Sequence, residues 1–231
     1  LSPSVESFFY WLEQLLAEST GKERKGILPV IEDEATIPGA WGSDRLFINI
    51  CLEGESAGDR LMKAVKQGRQ PCLKLEMTDL YSLGSQFFLW EIATAAAGSF
   101  LRINPFDQPN VAASKKKSQE LIKAFKEKKV DADERPQLSE QGLSLFTDAP
   151  EGSIVKSLKA FLGQARPGDY VALQAFLCPT PETGKALREM RAKIQHKTRL
   201  AVTVGYGPRY LHSTGQLHKG DRGNGLFILL M

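Results

Sequence analysis

The run Tyr170-Val171-Ala172-Leu173-Gln174-Ala175-Phe176 is apolar almost throughout, and it is followed by a helical pattern over residues 182–196 and a second apolar run over 200–204. A short apolar run without alternation reads as a strand covered on both faces, and two of them joined by a helix form a βαβ unit with parallel strands. Residues 226–230 supply another such strand, and 143–146 with the helix 153–165 extend the same alternation upstream. The N-terminal half repeats it, with strands at 46–52 and 72–77 around a helix at 56–67. The opening helix begins at Ser2-Pro3, places Val5, Phe8, Phe9, Leu12, Leu15 and Leu16 at helical spacing, and stops at Gly21. Residues 83–101 read as a largely buried helix, and 110–129 as a polar helix leading into a solvated loop at 126–136. The pattern predicts an α/β fold, a three-layer αβα sandwich with a mainly parallel sheet.

Composition narrows the function. With 231 residues the chain can bury roughly 70% of its unfolded surface, so neither disulfides nor a structural metal is required for stability. A formal charge of +3 is too small to imply a nucleic-acid partner, since phosphate binding requires clustered positive charge, and no apolar stretch reaches the roughly 18–20 residues that cross a bilayer. Neither nucleic acid nor membrane is therefore an expected partner. No signal peptide is visible. Cys51, Cys72 and Cys178 lie in or beside apolar runs and read as reduced, buried thiols of a cytoplasmic protein. The chain starts at Leu1 and stops at Met231 within an apolar strand, which suggests a piece of a longer polypeptide.

In open parallel sheets, ligands bind on loops and helix ends beyond the strands' carboxyl edge, so polar clusters beside Gly or Pro are the places to look. Glu18-Ser19-Thr20-Gly21-Lys22 ends the first helix. By itself it is an ordinary helix stop, and it is no phosphate-binding Walker loop, because Glu23 follows the lysine and Leu15 stands at the first glycine position. Asn104-Pro105-Phe106-Asp107-Gln108-Pro109-Asn110 separates two helices as a turn. In the helix that follows, Val111, Lys115, Ile122 and Phe125 share one stripe, so Lys115 is expected on a core-facing side, where a lysine must snorkel, pair or act. Lys116, Lys117 and Lys123 fall off that stripe as solvated charges.

The third cluster, Arg209-Tyr210-Leu211-His212-Ser213-Thr214-Gly215-Gln216-Leu217-His218-Lys219-Gly220, holds two of the three histidines. Its spacing does not suit a metal, and the chain has no Gly-x-Ser-x-Gly elbow for a serine hydrolase. The preceding Gly205-Tyr206-Gly207 starts like a dinucleotide fingerprint but has Tyr210 in place of the third glycine.

Together the three clusters resemble phosphoglucose isomerase, in particular the catalytic portion of the form fused behind a transaldolase in some bacteria. The matching segments are 17–22 with Lys25-Gly26-Ile27-Leu28-Pro29, then Trp90-Glu91-Ile92-Ala93-Thr94-Ala95 running on to 103–111, and 211–220. Residues 112–198 match in pattern only. The resemblance implies that residues 1–231 are the C-terminal sugar-isomerase (SIS) domain of a longer chain. An upstream SIS domain and a transaldolase domain would lie outside it. It also implies interconversion of glucose 6-phosphate and fructose 6-phosphate through a cis-enediol, without cofactor or metal, in a homodimer.

By the family's motifs Glu18 is the base that moves the proton between C1 and C2, a task that suits a carboxylate lifted toward neutrality by partial burial. Lys115 opens the ring or stabilises charge, His212 is the ring-opening acid, and Gln108, Lys22, Gln216 and His218 are substrate contacts. Two departures are visible. The family's acidic residue after the motif valine is Ala112 here, and the histidine segment follows the other two motifs instead of lying between them. That order leaves His218 as an alternative to His212, or as a support for its loop. The family's phosphate-binding loop and its arginine are missing, so the chain by itself is expected to be inactive. A non-catalytic sugar-phosphate-binding SIS domain is the competing reading, and a purely structural dimer-forming domain is a third. The isomerase reading requires Glu18, Lys115 and His212 to converge on one cleft.

Overall fold

The computed structural model describes residues 3–32, 39, 41–107, 109–127 and 135–231. It divides into two compact units, one of Leu1–Gln108 with Gly168–Met231 and one of Pro109–Pro167. The architecture is α/β with parallel sheets.

The first unit opens with a 3-10 turn, Pro3–Val5, that leads into helix α1, Glu6–Thr20. Phe8, Leu12, Glu13, Ala17 and Thr20 form the buried face of α1. Steps of four, one, four and three residues keep them within one half of a 3.6-residue helix. Strand β1 (Phe47–Leu52), helix α2 (Asp59–Gln67) and strand β2 (Cys72–Met77) form a βαβ unit, with Phe47 opposite Cys72 and Leu52 opposite Met77 in a parallel ladder. Helix α3, Leu83–Leu101, then packs along α1. Val5, Phe8 and Leu12 meet Ile50, Met77 and Trp90 in one core, with Phe87 edge-on to Phe8 at 5.1 Å and to Trp11 at 4.4 Å.

Helix α3 corrects one expectation. Its buried residues are Trp90, Thr94 and Gly98, a single i, i+4 line, while Phe88, Ile92 and Phe100 are 66%, 55% and 90% exposed. An all-round apolar sequence reads as burial on every side, yet among the described residues only one face is packed. The glycine on the packed line matters for the loop that follows. A Cβ on Gly98 would lie 2.8 Å from the Pro105 ring, so its absence lets residues 102–107 fold back against the helix.

The second unit contains helix α4 (Pro109–Lys126), strands β3 (Leu138–Glu140) and β4 (Leu143–Leu145), and helix α5 (Ile154–Gly163). Strand β4 was expected, but it is the second arm of an antiparallel hairpin with β3, a strand that the apolar pattern does not reveal. The positive φ of Gln141 and Gly142 is what a two-residue hairpin turn needs. Ser153 caps α5 by accepting from the Lys156 amide at 3.2 Å.

Back in the first unit, β5 (Tyr170–Ala175) lies between β6 (Ala201–Tyr206) and β7 (Gly225–Leu230), both parallel to it. Its central place explains the unbroken apolar run. Helix α6, Pro181–Thr198, makes the β5–β6 crossover and starts with a capping box between Thr180 and Thr183. Glu32 is gripped by α6, through Arg191 Nη1 and Gln195 Nε2, each at 3.0 Å. Helix α7, Gly215–Gly220, joins the third sequence cluster to β7. The parallel strands thus form two separate sheets, β1–β2 and β6–β5–β7, where one sheet was expected.

All three cysteines are free, but only Cys51 is buried. Cys72 is half-buried, and Cys178 is exposed because it follows β5 in the open stretch before α6. Among the described residues no helix is long and apolar enough to cross a membrane.

Candidate functional site

Helix α1 ends at Gly21, whose N–H still reaches the Ala17 carbonyl. The chain then turns sharply between Lys22 and Lys25, where the Lys25 amide bonds back to the Lys22 carbonyl at 3.0 Å. This turn is where segments distant in sequence meet.

Lys22 is fully buried, and its Nζ donates to the Asp107 backbone carbonyl and to Asp107 Oδ1, the latter at 3.0 Å. A buried ammonium is costly without such partners. The pair therefore pins the loop at 104–107 to the end of α1. The loop is also shaped from within, by Asn104 Oδ1 accepting the Phe106 amide at 3.0 Å and by Pro105 seated on Gly98. A further tie runs from Lys25 Nζ to the Leu101 carbonyl at 2.8 Å.

Helix α7 closes on the same turn from another side. Gln216, buried, donates from Nε2 to the Gly21 carbonyl at 2.8 Å, and the Arg24 amide donates to the Gly220 carbonyl at 2.8 Å. Leu217 lies directly on Gly21 and Gly26, and a Cβ on Gly220 would overlap the Gly21 carbonyl oxygen. Glycines at 21, 26 and 220 are what this backbone-to-backbone approach demands.

Glu18, half-buried in the last turn of α1, lines a cleft of about 240 Å³ with Trp11, Gln14, Leu15, Ser19, Pro105, Phe106 and Asp107. Gln14, one turn earlier, donates from Nε2 to Glu18 Oε2 at 3.1 Å. The cleft thus combines the first two clusters. Lys22 and Gln216 brace it from behind, with their polar heads turned onto Asp107 and Gly21.

The histidines occupy different surroundings. His218 is half-buried, stacked on Tyr170 with ring centroids 5.7 Å apart and edge-on to Phe227 at 5.1 Å. Tyr170 Oη donates to Asp221 Oδ2 at 2.7 Å and lies 2.9 Å from His218 Nδ1. Because the phenol has a single proton, His218 must donate from Nδ1, which leaves Nε2 as the basic nitrogen. Burial, aided by Lys219, pushes the His218 pKa down to about 4, so the ring is neutral near pH 7. Burial and Asp221 push the Tyr170 phenol well above its ordinary value. His212 is exposed and is not part of the cleft lining.

Lys115 belongs to the second unit, on α4, and its side chain is exposed together with those of Ile122 and Phe125. At its described members, Lys115, Ile122 and Phe125, the stripe expected to face the core is therefore exposed: helical phase tells which residues share a face, not whether another element covers it. Gln108 lies outside the described residues. Among the described residues no cluster of His, Cys, Asp or Glu could hold a metal ion.

Sequence reasoning passed over Glu13 and Asp107. Glu13 is a buried carboxyl on α1, raised above its ordinary pKa by burial and moderated by the Ser213 hydroxyl and by Arg209. Its signal was available, since a glutamate directly after Leu12 falls within the stripe that includes Phe8 and Ala17.

Over 152 residues the chain is 30% identical to the glucose-6-phosphate isomerase of Exiguobacterium sibiricum, covering 49% of this chain and 34% of that one. The Leptospira interrogans glucose-6-phosphate isomerase is 29% identical over 153 residues, with 50% and 34% covered. That of Clostridium tetani is 28% identical over 173 residues, with 58% and 38% covered. The chain thus matches just over a third, at most, of the length of these curated relatives. No family model and no solved structure matches it.

Proposed function

We propose that this chain supplies the base-bearing part of a glucose-6-phosphate isomerase site. The observation that carries the reading is the meeting of the three clusters at the Gly21–Lys22 turn, with Glu18 open to the adjoining cleft. Relatives named glucose-6-phosphate isomerase support the same reaction class. The cleft's volume supports an incomplete site, because 240 Å³ falls short of the roughly 300–1,000 Å³ of common small-molecule pockets. A sugar phosphate held there needs a further wall, which an upstream SIS domain of the longer chain or a second copy in a homodimer would provide. A preceding transaldolase domain and a cytoplasmic site of action belong to the same proposal.

In this reading Glu18 takes the proton from C2 of the opened aldose and returns it to C1 through a cis-enediol, and Gln14 holds one carboxylate oxygen during the transfer. The roles of His212 in ring opening, Lys115 in offsetting negative charge and Gln108 in contacting the sugar are carried by the resemblance alone, since His212 is outside the cleft lining, Lys115 belongs to the other unit and Gln108 lies outside the described residues. Lys22 acts through Asp107, Gln216 through Gly21, and His218 as the support of α7 on β5. No cofactor enters these steps.

The test is Glu18→Gln in the full-length protein, assayed for fructose 6-phosphate formation. Loss of a positioned general base lowers turnover by about 100-fold or more. A decrease of less than threefold removes Glu18 from the role.

A further inference from the structure

Helix α1 carries two carboxylates that face different neighbours. Glu18 faces the loop at 104–107, whereas Glu13, five residues earlier and about 140° around the helix, faces the turn that follows β6. We propose that Glu13 is a positioning residue, holding the turn at residues 209–214 against α1 and thereby fixing His212; the catalytic use of this clamp rests on the isomerase reading above.

The contacts bracket His212 on both sides. Ser213, immediately after it, donates to the Tyr210 carbonyl at 3.5 Å with its hydroxyl near enough to Glu13 to lower that carboxyl's pKa, and Thr214 lines the same small cavity as Glu13. Arg209, three residues before it, brings Nη1 to 4.0 Å from Glu13 Oε1 and lays its guanidinium 4.7 Å from the ring centre of Tyr10, one helical turn back on α1. Within the turn, the His212 amide bonds to the Arg209 carbonyl at 2.9 Å and the Ser213 amide to the Tyr210 carbonyl at 3.2 Å. Those bonds shape the turn but do not attach it to α1. Tyr210 anchors it to the sheet, where a Cβ on Gly205 would lie 2.6 Å from the Tyr210 Cβ. Glu13 and Tyr10 tie it to the helix that carries the base.

Packing alone does not account for a carboxylate here. Glu13 is 8% exposed, and at a buried helix position an apolar side chain avoids the desolvation cost. The ion pair of Glu13 with Arg209, 4.0 Å away, does account for it. Nor is Glu13 a second base. The cavity it lines with Thr214, His218 and Tyr210 is about 10 Å³, room for about one water and none for a sugar.

The experiment compares two substrates in the full-length protein. A hexose 6-phosphate must have its ring opened, whereas an aldotetrose 4-phosphate, whose O4 is blocked by the phosphoryl group, is always open-chain. A displaced His212 affects the first and spares the second, while a distorted α1 affects both through Glu18. Glu13→Ala is expected to lower kcat on the hexose phosphate at least tenfold with KM within twofold, and to leave turnover of the tetrose phosphate within threefold. Glu13→Gln, which keeps an oxygen for Arg209, is expected to restore part of the loss. Should Glu13→Ala not fold, Arg209→Met, which removes the cation 4.0 Å from Glu13, carries the same comparison. Equal losses on both substrates, or no loss on either, overturn the proposal. If the wild-type protein converts neither substrate, the isomerase reading fails by itself. The clamp is then judged by the His212 ring resonances in NMR spectra, expected single and sharp in wild type and broadened in Glu13→Ala; unchanged resonances overturn it.

Discussion

Asp107 is the more exposed member of its ion pair with Lys22, yet its removal should be the more damaging of the two. The Lys22 side chain is 1% exposed and the Asp107 side chain 50%. Among the described residues, Asp107→Ala leaves the ammonium in the interior with only the Asp107 backbone carbonyl as a partner. Stranding a buried charge in this way costs about 3–5 kcal/mol. Lys22→Met removes the charge itself, keeps most of the volume, and leaves a carboxylate that water can solvate. Its cost is then two charge-assisted hydrogen bonds, about 1.5–3 kcal/mol each, less the several kcal/mol of desolvation that is no longer incurred. The double variant should consequently be more stable than Asp107→Ala alone, since it removes the orphaned charge. Equilibrium urea unfolding of all four proteins, followed by tryptophan fluorescence and far-UV circular dichroism, measures the cycle. A double variant less stable than Asp107→Ala, or a Lys22→Met cost above that of Asp107→Ala, would refute the reasoning that the pair exists to satisfy a buried ammonium.

Further expectations concern the same region. His218, its folded-state pKa lowered to about 4, is neutral in the fold, while the unfolded chain takes up a proton near the ordinary value of about 6.5. The unfolded state therefore binds more protons between these values, and stability should fall as pH drops from about 6.5 to 4, by up to about 3 kcal/mol. His218→Phe should flatten that dependence in urea titrations across the window, and an unchanged slope would assign the loss to other groups. Gly220→Ala places a Cβ on the Gly21 carbonyl oxygen and should destabilise by about 1–3 kcal/mol or more. Hydrogen exchange should show the loss concentrated in α7 and the Lys22–Lys25 turn, and uniform loss of protection would argue against this local contact.

Parts of the fold were legible because they are local. Strand β2 and helix α3 occur with the bounds their apolar runs suggest, and the β5–α6–β6 crossover follows from an apolar run, a Thr-Pro helix start and a second run. Helix α7 was not legible. Its six residues, Gly215 to Gly220, have poor helix formers at both ends and too little length for an apolar period. It is held instead by Gln216 on Gly21, 195 residues away in sequence. The burial of α3 was overread for a related reason, since apolar content marks faces that could be covered, and its fully buried residues are Trp90, Thr94 and Gly98, with Leu83 and Phe87 partly buried beside them. Lys115 met the same limit on α4.

For the candidate site, the sequence by itself determined which segments to examine: 17–22, 103–111 and 211–220 stand out by composition and by their resemblance to an isomerase family. Tertiary structure decided what their residues do. Lys22, expected at substrate, turns inward to Asp107 because a buried ammonium must find a carboxylate, and Gln216 turns to Gly21 because α7 can approach that turn only where glycines leave room. Glu13 gained its place from Arg209, 196 residues further along the chain. Helical phase, caps and turns are set by neighbours a few residues apart and can be read in order. Desolvation and close packing depend on what the folded chain brings alongside, which no local pattern encodes.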